Sequence, residues 1–231
     1  GPIVLDDVHI RIEPGERIAI VGETGSGKTT FTKLVARLME PQDGEILLGG
    51  VPVQDVPFAS LRRRVGYVPQ EGFLHDATIL ENVRYGLLEA TDLQVKQAFV
   101  DLELLDWVRS LPDGPTTEVG ERGSRISAGE RQLVALVRAW IRDVDLLLLD
   151  EATSAVDPAL EVSLRNALNH LLEGRTSLTV AHRLSTAEAS DRVLVFDQGR
   201  LVEVGSHDEL LAMEGVYARM HADWVAGTAT V

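Results

Sequence analysis

The residues from 22 to 30, Gly22, Glu23, Thr24, Gly25, Ser26, Gly27, Lys28, Thr29 and Thr30, combine types and spacing that suit one kind of chemistry. Glycines at 22, 25 and 27 remove Cβ atoms where the backbone must curl, so successive N–H groups can face one anion at close range. Lys28 brings a mobile positive charge to the outer phosphates of a nucleotide, and the Thr29 hydroxyl is a suitable magnesium ligand. The amino end of a following helix adds partial positive charge. The expected chemistry is capture of a nucleoside triphosphate. A glycine-rich turn without a ligand is the plain alternative, and the full GxxxxGKT spacing between an apolar run and a helical pattern argues against it.

Four more residues follow apolar runs or stand beside a residue that does. Asp150 ends Leu146-Leu147-Leu148-Leu149 and can hold magnesium directly or through water. Glu151, next in the chain, can accept a proton from an attacking water or orient it. His182 can bridge that water and a γ-phosphate through ring N–H donation, and the Gln70 amide can touch both magnesium and the water. Plainer roles exist for each: a cap for Asp150, a surface glutamate, a structural histidine, a solvated glutamine. Ligands of parallel sheets bind at the carboxyl edge, so Gly22, Gln70, Asp150 and His182 are expected to converge.

The elements that must position these residues are legible from periodicity. Residues 3–21 hold two apolar runs, Ile3-Val4-Leu5 being strand-like, with the turn Glu13-Pro14-Gly15-Glu16 before the second. Phe31, Leu34, Val35 and Leu38 recur at helical spacing and predict one buried helix face. Glu45 to Val53, broken by Gly49-Gly50, reads as a hairpin, and Ser60 is placed to cap a short basic turn, Leu61 to Arg64. From about 72 to 142 the pattern is helical, with capping boxes predicted at Thr78/Glu81, Thr91/Gln94 and Ser127/Glu130. Asp157 and Pro158 mark another helix start, strands resume around 177, 193 and 201, Ser206/Glu209 opens a closing helix, and the last six residues show no pattern. Strands alternating with helices predict an α/β fold with a mainly parallel sheet covered on both faces.

Composition narrows the class. The chain has 231 residues, 45% of them hydrophobic, enough for one large domain or a core with an inserted subdomain. No apolar run approaches the roughly 20 residues of a membrane helix. With 36 acidic against 22 basic residues the net charge is -14, which disfavours nonspecific contact with nucleic acid or anionic lipid. The absence of cysteine excludes disulfides and thiolate metal sites. Gly1-Pro2 ahead of Ile3 reads as a protease scar on an excised fragment.

Taken together, GETGSGKTT, VPQEGFLHDATILENV, RISAGERQ, LLLLDEATSAVD and VAHRLS, in that order, resemble the nucleotide-binding domain of ATP-binding cassette (ABC) transporters over nearly the whole chain. The resemblance implies a P-loop NTPase core with an N-terminal antiparallel β subdomain and an inserted α-helical subdomain. It places the core at about 1–71 and 143–231 and the helical part at about 72–142. It also implies that ATP and Mg2+ are bound, that Ser127, Ala128, Gly129 and Glu130 form the signature, that Ser154 to Asp157 form the D-loop, and that His182 is the switch histidine. Thr117 to Gly123 and Gln70 to Asn82 look like exporter segments and favour export over import. The implied partners are a second nucleotide-binding domain, paired head to tail, and a transmembrane domain outside this chain, with no nucleic acid. The implied location is the cytoplasmic face of a cell membrane.

Three departures from the family pattern bear on function. The aromatic residue that stacks on adenine normally precedes the segment matching Val4-Leu5. Ala128 stands where glycine is usual, and Glu130 replaces a common glutamine, adding negative charge where an anion docks unless it folds back onto Ser127. The altered signature suggests a hetero-pair with one weak site as an alternative to a homodimer. Other classes are a soluble ABC-type ATPase of DNA repair or translation, and a nucleotide-gated dimerisation module that does not hydrolyse.

Overall fold

The computed structural model describes residues 3–70, 72–150, 158–181 and 183–228. Glu151, the stretch Ser154 to Asp157 and His182 lie outside the described residues. In chain order the elements are β1 (Arg17–Gly22), α1 (Lys28–Val35), β2 (Leu47–Leu48), β3 (Val51–Pro52), α2 (Phe58–Arg64), β4 (Val65–Val68), α3 (Ile79–Arg84), α4 (Asp92–Asp101), α5 (Leu105–Ser110) and α6 (Ala128–Ile141). Then follow β5 (Leu146–Asp150), α7 (Pro158–Leu172), β6 (Thr176–Val180), α8 (Leu184–Glu188), β7 (Arg192–Asp197), β8 (Arg200–Gly205), α9 (His207–Ala212) and α10 (Val216–Thr228). Among the described residues no helix is long and apolar enough to cross a membrane.

The chain divides into two compact units. The first comprises Gly1–Val65, Leu146–Glu151 and Arg175–Val231. Its strands run in the order β5-β6-β1-β7-β8, parallel up to β7 and antiparallel only between β7 and β8. Side chains alternate across a strand, so Ala19 and Val21 of β1, with Val193 and Val195 of β7, face a core that α8, α9 and α10 cover through Ala187, Leu210 and Tyr217. On β7 the next side chain, Phe196, meets Phe31 of α1 with ring centroids 5.2 Å apart. Burial on both faces is why Ile18-Ala19-Ile20-Val21 is apolar throughout rather than alternating. Antiparallel β2 and β3 form the small second sheet, closed by Gly49 and Gly50, both at positive φ as a tight hairpin turn requires.

The second unit, Gly66–Asp145 and Ala152–Gly174, is helical apart from the end of β4. Helix α6 is its centre. Leu133, Val134 and Val137 of α6 are fully buried, and α3, α4 and α7 pack around it with Ile79, Val83, Val95, Phe99, Leu164 and Leu171 also in the core. All of the predicted capping boxes form with both reciprocal hydrogen bonds: Thr78 with Glu81, Thr91 with Gln94 and Ser127 with Glu130 here, and Ser206 with Glu209 in the first unit.

Three local expectations differ from the structure. Ile3-Val4-Leu5 forms no strand: Ile3 is largely exposed, and Asp6 N–H reaches the Gly199 carbonyl as a single bond rather than a ladder. Ser60 does not cap α2, which starts earlier with Pro57 at the N-cap. Leu38 does not extend the buried face of α1, because the helix stops at Val35. Arg37 there takes a left-handed conformation, φ 51°, and the Leu38 N–H turns back to the Lys33 carbonyl, a helix terminator usually built with glycine. The cost of that conformation is offset by the guanidinium, which donates to the carbonyls of Val53 and Val56 and lies 4.2 Å over the Phe58 ring.

Candidate functional site

The phosphate loop joins the carboxyl end of β1 to the start of α1. Gly22 has φ 150°, and a Cβ there would lie 2.2 Å from the Phe196 carbonyl oxygen and 2.5 Å from Ser26 Oγ, so both conformation and space demand glycine. At Gly27 a Cβ would press on Leu5, and its φ of 104° is again in the left-handed half. Gly25 has open space around it, and its φ of 86° alone accounts for glycine. The β7–β8 turn supports the loop from below, the Gly199 N–H donating to the Ser26 carbonyl. Glu23, Thr24 and Gly25 are exposed, whereas Ser26, Gly27 and Lys28 are buried.

Within this loop Lys28 donates from Nζ to the carbonyls of Gly22 at 2.7 Å and Glu23 at 2.8 Å. Burial lowers its pKa from the ordinary 10.5, and the Asp150 carboxylate works in the opposite direction. The ammonium therefore occupies the mouth of the loop with backbone oxygens as provisional partners. Ser26 Oγ is buried and has no hydrogen-bond partner. An orphaned hydroxyl under a curl of N–H groups fits a ligand rich in acceptor oxygens.

Asp150 is the last residue of β5 and is 7% exposed. The ladder β5–β6–β1 aligns Asp150 with Val180 and Val180 with Ile20, which brings Asp150 to the same sheet edge as the loop. Thr29 Oγ1 donates to Asp150 Oδ2 at 3.3 Å. A hydroxyl and a carboxylate side by side are hard oxygen donors, the set that suits magnesium. The structure thus brings Gly22 to Thr30 and Asp150 together, as their positions after apolar strands predict.

Of the other candidates, Gln70 is exposed beyond the end of β4, in the second unit, while Glu151 and His182 lie outside the described residues. Ser127 to Glu130 open α6, also in the second unit. There Glu130 does fold back: Oε2 accepts from the Ser127 N–H at 2.7 Å, and the Glu130 N–H donates to Ser127 Oγ at 3.2 Å. Ser127 Oγ accepts in that pair and keeps its own proton for another acceptor. Ala128 is exposed and Gly129 buried.

Sequence reasoning missed two arginines and an asparagine that shape this half. Arg131 donates to the carbonyls of Gly123 and Ile126 and so pins the segment leading into Ser127. Arg138 donates to the carbonyls of Phe73 and Asn82 and to Asn82 Oδ1, each at 2.9 Å, fixing the stretch after Gln70 onto α6. Asn82, 1% exposed, donates in turn to His75 and Thr78 carbonyls. The only signal in the sequence was an arginine interrupting the apolar stripe Leu133 to Ile141.

Comparison with known proteins identifies the family. The ABC transporter family profile matches residues 5–154. An ATP-dependent lipid A-core flippase of Hahella chejuensis is 45% identical over 222 residues, covering 96% of this chain and 38% of the flippase. An uncharacterized ABC transporter ATP-binding protein of Bacillus subtilis, YfiC, is 43% identical over 221 residues, covering 96% of this chain and 37% of that protein. The solved structure of a bacterial Atm1-family ABC exporter with ATP bound superposes with a TM-score of 0.88 at 41% identity, covering 95% of this chain and 38% of that one. The chain spans less than two fifths of the length of these relatives. It belongs to the ABC transporter family, with the sequence and fold of an exporter-type nucleotide-binding domain.

Proposed function

We propose that this chain binds and hydrolyses ATP and that its hydrolysis drives an exporter whose membrane-spanning part lies outside the chain. One observation carries the site assignment: Thr29 and Asp150 meet at 3.3 Å beside a glycine loop that buries an unpartnered Ser26 hydroxyl and the Lys28 ammonium. Two compact units are in keeping with a core and a helical subdomain, but Ala152–Gly174, expected in a core of about 1–71 and 143–231, groups with the helical unit expected at about 72–142, because α7 packs on α6.

In this reading the loop from Gly22 to Thr30 holds the phosphate oxygens by backbone N–H groups, and Lys28 exchanges its two carbonyl partners for the β- and γ-phosphates. Thr29, Asp150 and Gln70 would hold Mg2+, which would neutralise charge that develops between the outer phosphates. Glu151 orients the attacking water and takes its proton, His182 bridges that water and the γ-phosphate, and Gln70 adds an amide contact. The start of α6 serves a second domain's ATP: the Ser127 hydroxyl and the N–H groups of Ala128 and Gly129 face its γ-phosphate, while Glu130 is occupied with the Ser127 N–H. ATP then bridges two domains, and its cleavage releases them. That exchange of affinities, transmitted to a transmembrane partner at the cytoplasmic face of the membrane, is how hydrolysis does transport work.

The flippases and the Atm1-family exporter match at similar identity, 45% and 41%, so this domain carries the ATP-driven part and its partner the choice of cargo. The test is Glu151→Gln. Turnover should fall roughly a hundredfold while ATP still drives dimerisation, measured by light scattering; hydrolysis at the original rate would remove Glu151 from this role.

A further inference from the structure

The C-terminal helices of the first unit gather a second group of titratable side chains at a place the nucleotide chemistry does not use. Glu188 at the end of α8, His207 at the start of α9 and His221 in α10 each present a ligand atom, and these atoms all lie within 4.8 Å of one another. Glu188 is exposed and both histidines are half-buried, so the group is reachable from solvent. We propose that Glu188, His207 and His221 form a binding site for a zinc-like divalent cation, with water as a fourth ligand.

Geometry and chemistry both support the site. Two imidazoles and a carboxylate are a donor set that zinc takes in tetrahedral sites with one open position. Ligands about 2.1 Å from zinc are about 3.4 Å from each other, so binding draws the three atoms together by rotation of exposed Glu188 and small rotations of the two imidazoles. The surroundings hold the histidines in place. His207 Nδ1 lies 2.7 Å from the hydroxyl of fully buried Tyr217. With Nδ1–H donating to that oxygen, Nε2 keeps its lone pair for a cation, the arrangement typical of metal-bound histidine.

The backbone is equally well fixed. Tyr217 and His221 are four residues apart on one face of α10, whose start is seated by Glu203 of β8 accepting from the Val216 and Tyr217 N–H groups. Gly215 makes room for that carboxylate, since a Cβ there would lie 2.1 Å from its Oε1. The Ser206/Glu209 capping box sets the start of α9, where His207 is the first helical residue. A cation would join three helices that otherwise meet through the apolar cluster of Ala187, Leu210 and Tyr217, and would tie α10 down.

The experiment titrates the nucleotide-free chain with Zn2+ against a chromogenic chelator and repeats the titration with Co2+, whose visible spectrum reports tetrahedral coordination. One ion per chain is expected, with a Tm raised by about 5 °C when zinc exceeds its Kd a hundredfold. His207→Gln and His221→Gln should each weaken binding at least tenfold and abolish the tetrahedral Co2+ bands. Tyr217→Phe should weaken it about tenfold through the loss of orientation. Exposed Glu188→Gln, which leaves the fold undisturbed, should weaken it several-fold. Zinc affinity unchanged in Glu188→Gln and His221→Gln, or no saturable site up to about 100 μM, would overturn the proposal.

Discussion

Lys28 occupies an unusual position for a lysine: 6% exposed, with its ammonium on two backbone carbonyls and a carboxylate, Asp150, close enough to offset part of the desolvation. Burying that charge has a cost that carbonyl oxygens compensate only in part, and a triphosphate compensates it better. Lys28→Ala should therefore weaken ATP binding at least tenfold, read by nucleotide fluorescence titration, and leave the unliganded fold intact. Equal ATP affinity in the two proteins would contradict the assignment. Ser26 follows the same logic in neutral form, a buried hydroxyl left for the ligand to satisfy. Such unresolved groups are tolerated where they serve binding rather than folding.

Helix ends illustrate how a local sequence rule becomes a structural device. Four S/T-x-x-E/Q patterns all close as reciprocal caps, and one of them, at Ser127, stands at the proposed ATP interface, where Glu130 is drawn away from the approaching anion. The caps also predict a pH effect. Glu209 accepts from the Ser206 N–H and hydroxyl, which lowers its pKa below the ordinary 4.5. A carboxyl depressed in the folded state adds stability above its unfolded pKa and loses it as pH falls through the folded one. Glu209→Ala should thus lower Tm by about 1–3 °C at pH 7, and the difference should shrink below about pH 4.5. A constant difference across that range would show that the cap acts without its charge. Tertiary demands prevail at other ends, as at Arg37, where interactions with Val53, Val56 and Phe58 hold a left-handed arginine in place of glycine.

For the molecule as a whole, the proposed chemistry is divided between halves of two domains. In that proposal the chain brings a phosphate loop for one ATP and the start of α6 for another, so that each needs a partner domain to complete it. Glu130 held in its cap, and Ser127 with a proton left to donate, support the proposal that like domains pair. Turnover per chain should accordingly rise with protein concentration and show cooperativity in ATP, measured by phosphate release. Turnover independent of concentration would refute a shared site, and dependence that appears only after adding a different partner domain would establish a hetero-pair.

Much of this was legible in the sequence because it is governed by local rules. Glycine spacing, apolar runs and capping patterns depend on residues within one or two turns of each other, so the phosphate loop, the order of strands and helices and the four caps could be read without coordinates. Long-range partnerships could not. That Asp150 lies beside Thr29 rather than merely at a strand end follows from the β5–β6–β1 register. That Ile3-Val4-Leu5 forms no strand follows from the lack of a ladder partner, since an extended segment has no periodicity of its own to announce one. Arg138 on Asn82, and His207 beside His221 and Glu188, join positions 14 to 56 residues apart, distances over which composition and period carry no signal. The sequence by itself determined the kind of ligand and the elements that carry its site; only packing decided which side chains meet there, because contacts between distant segments are set by how the elements dock and not by the pattern within any one of them.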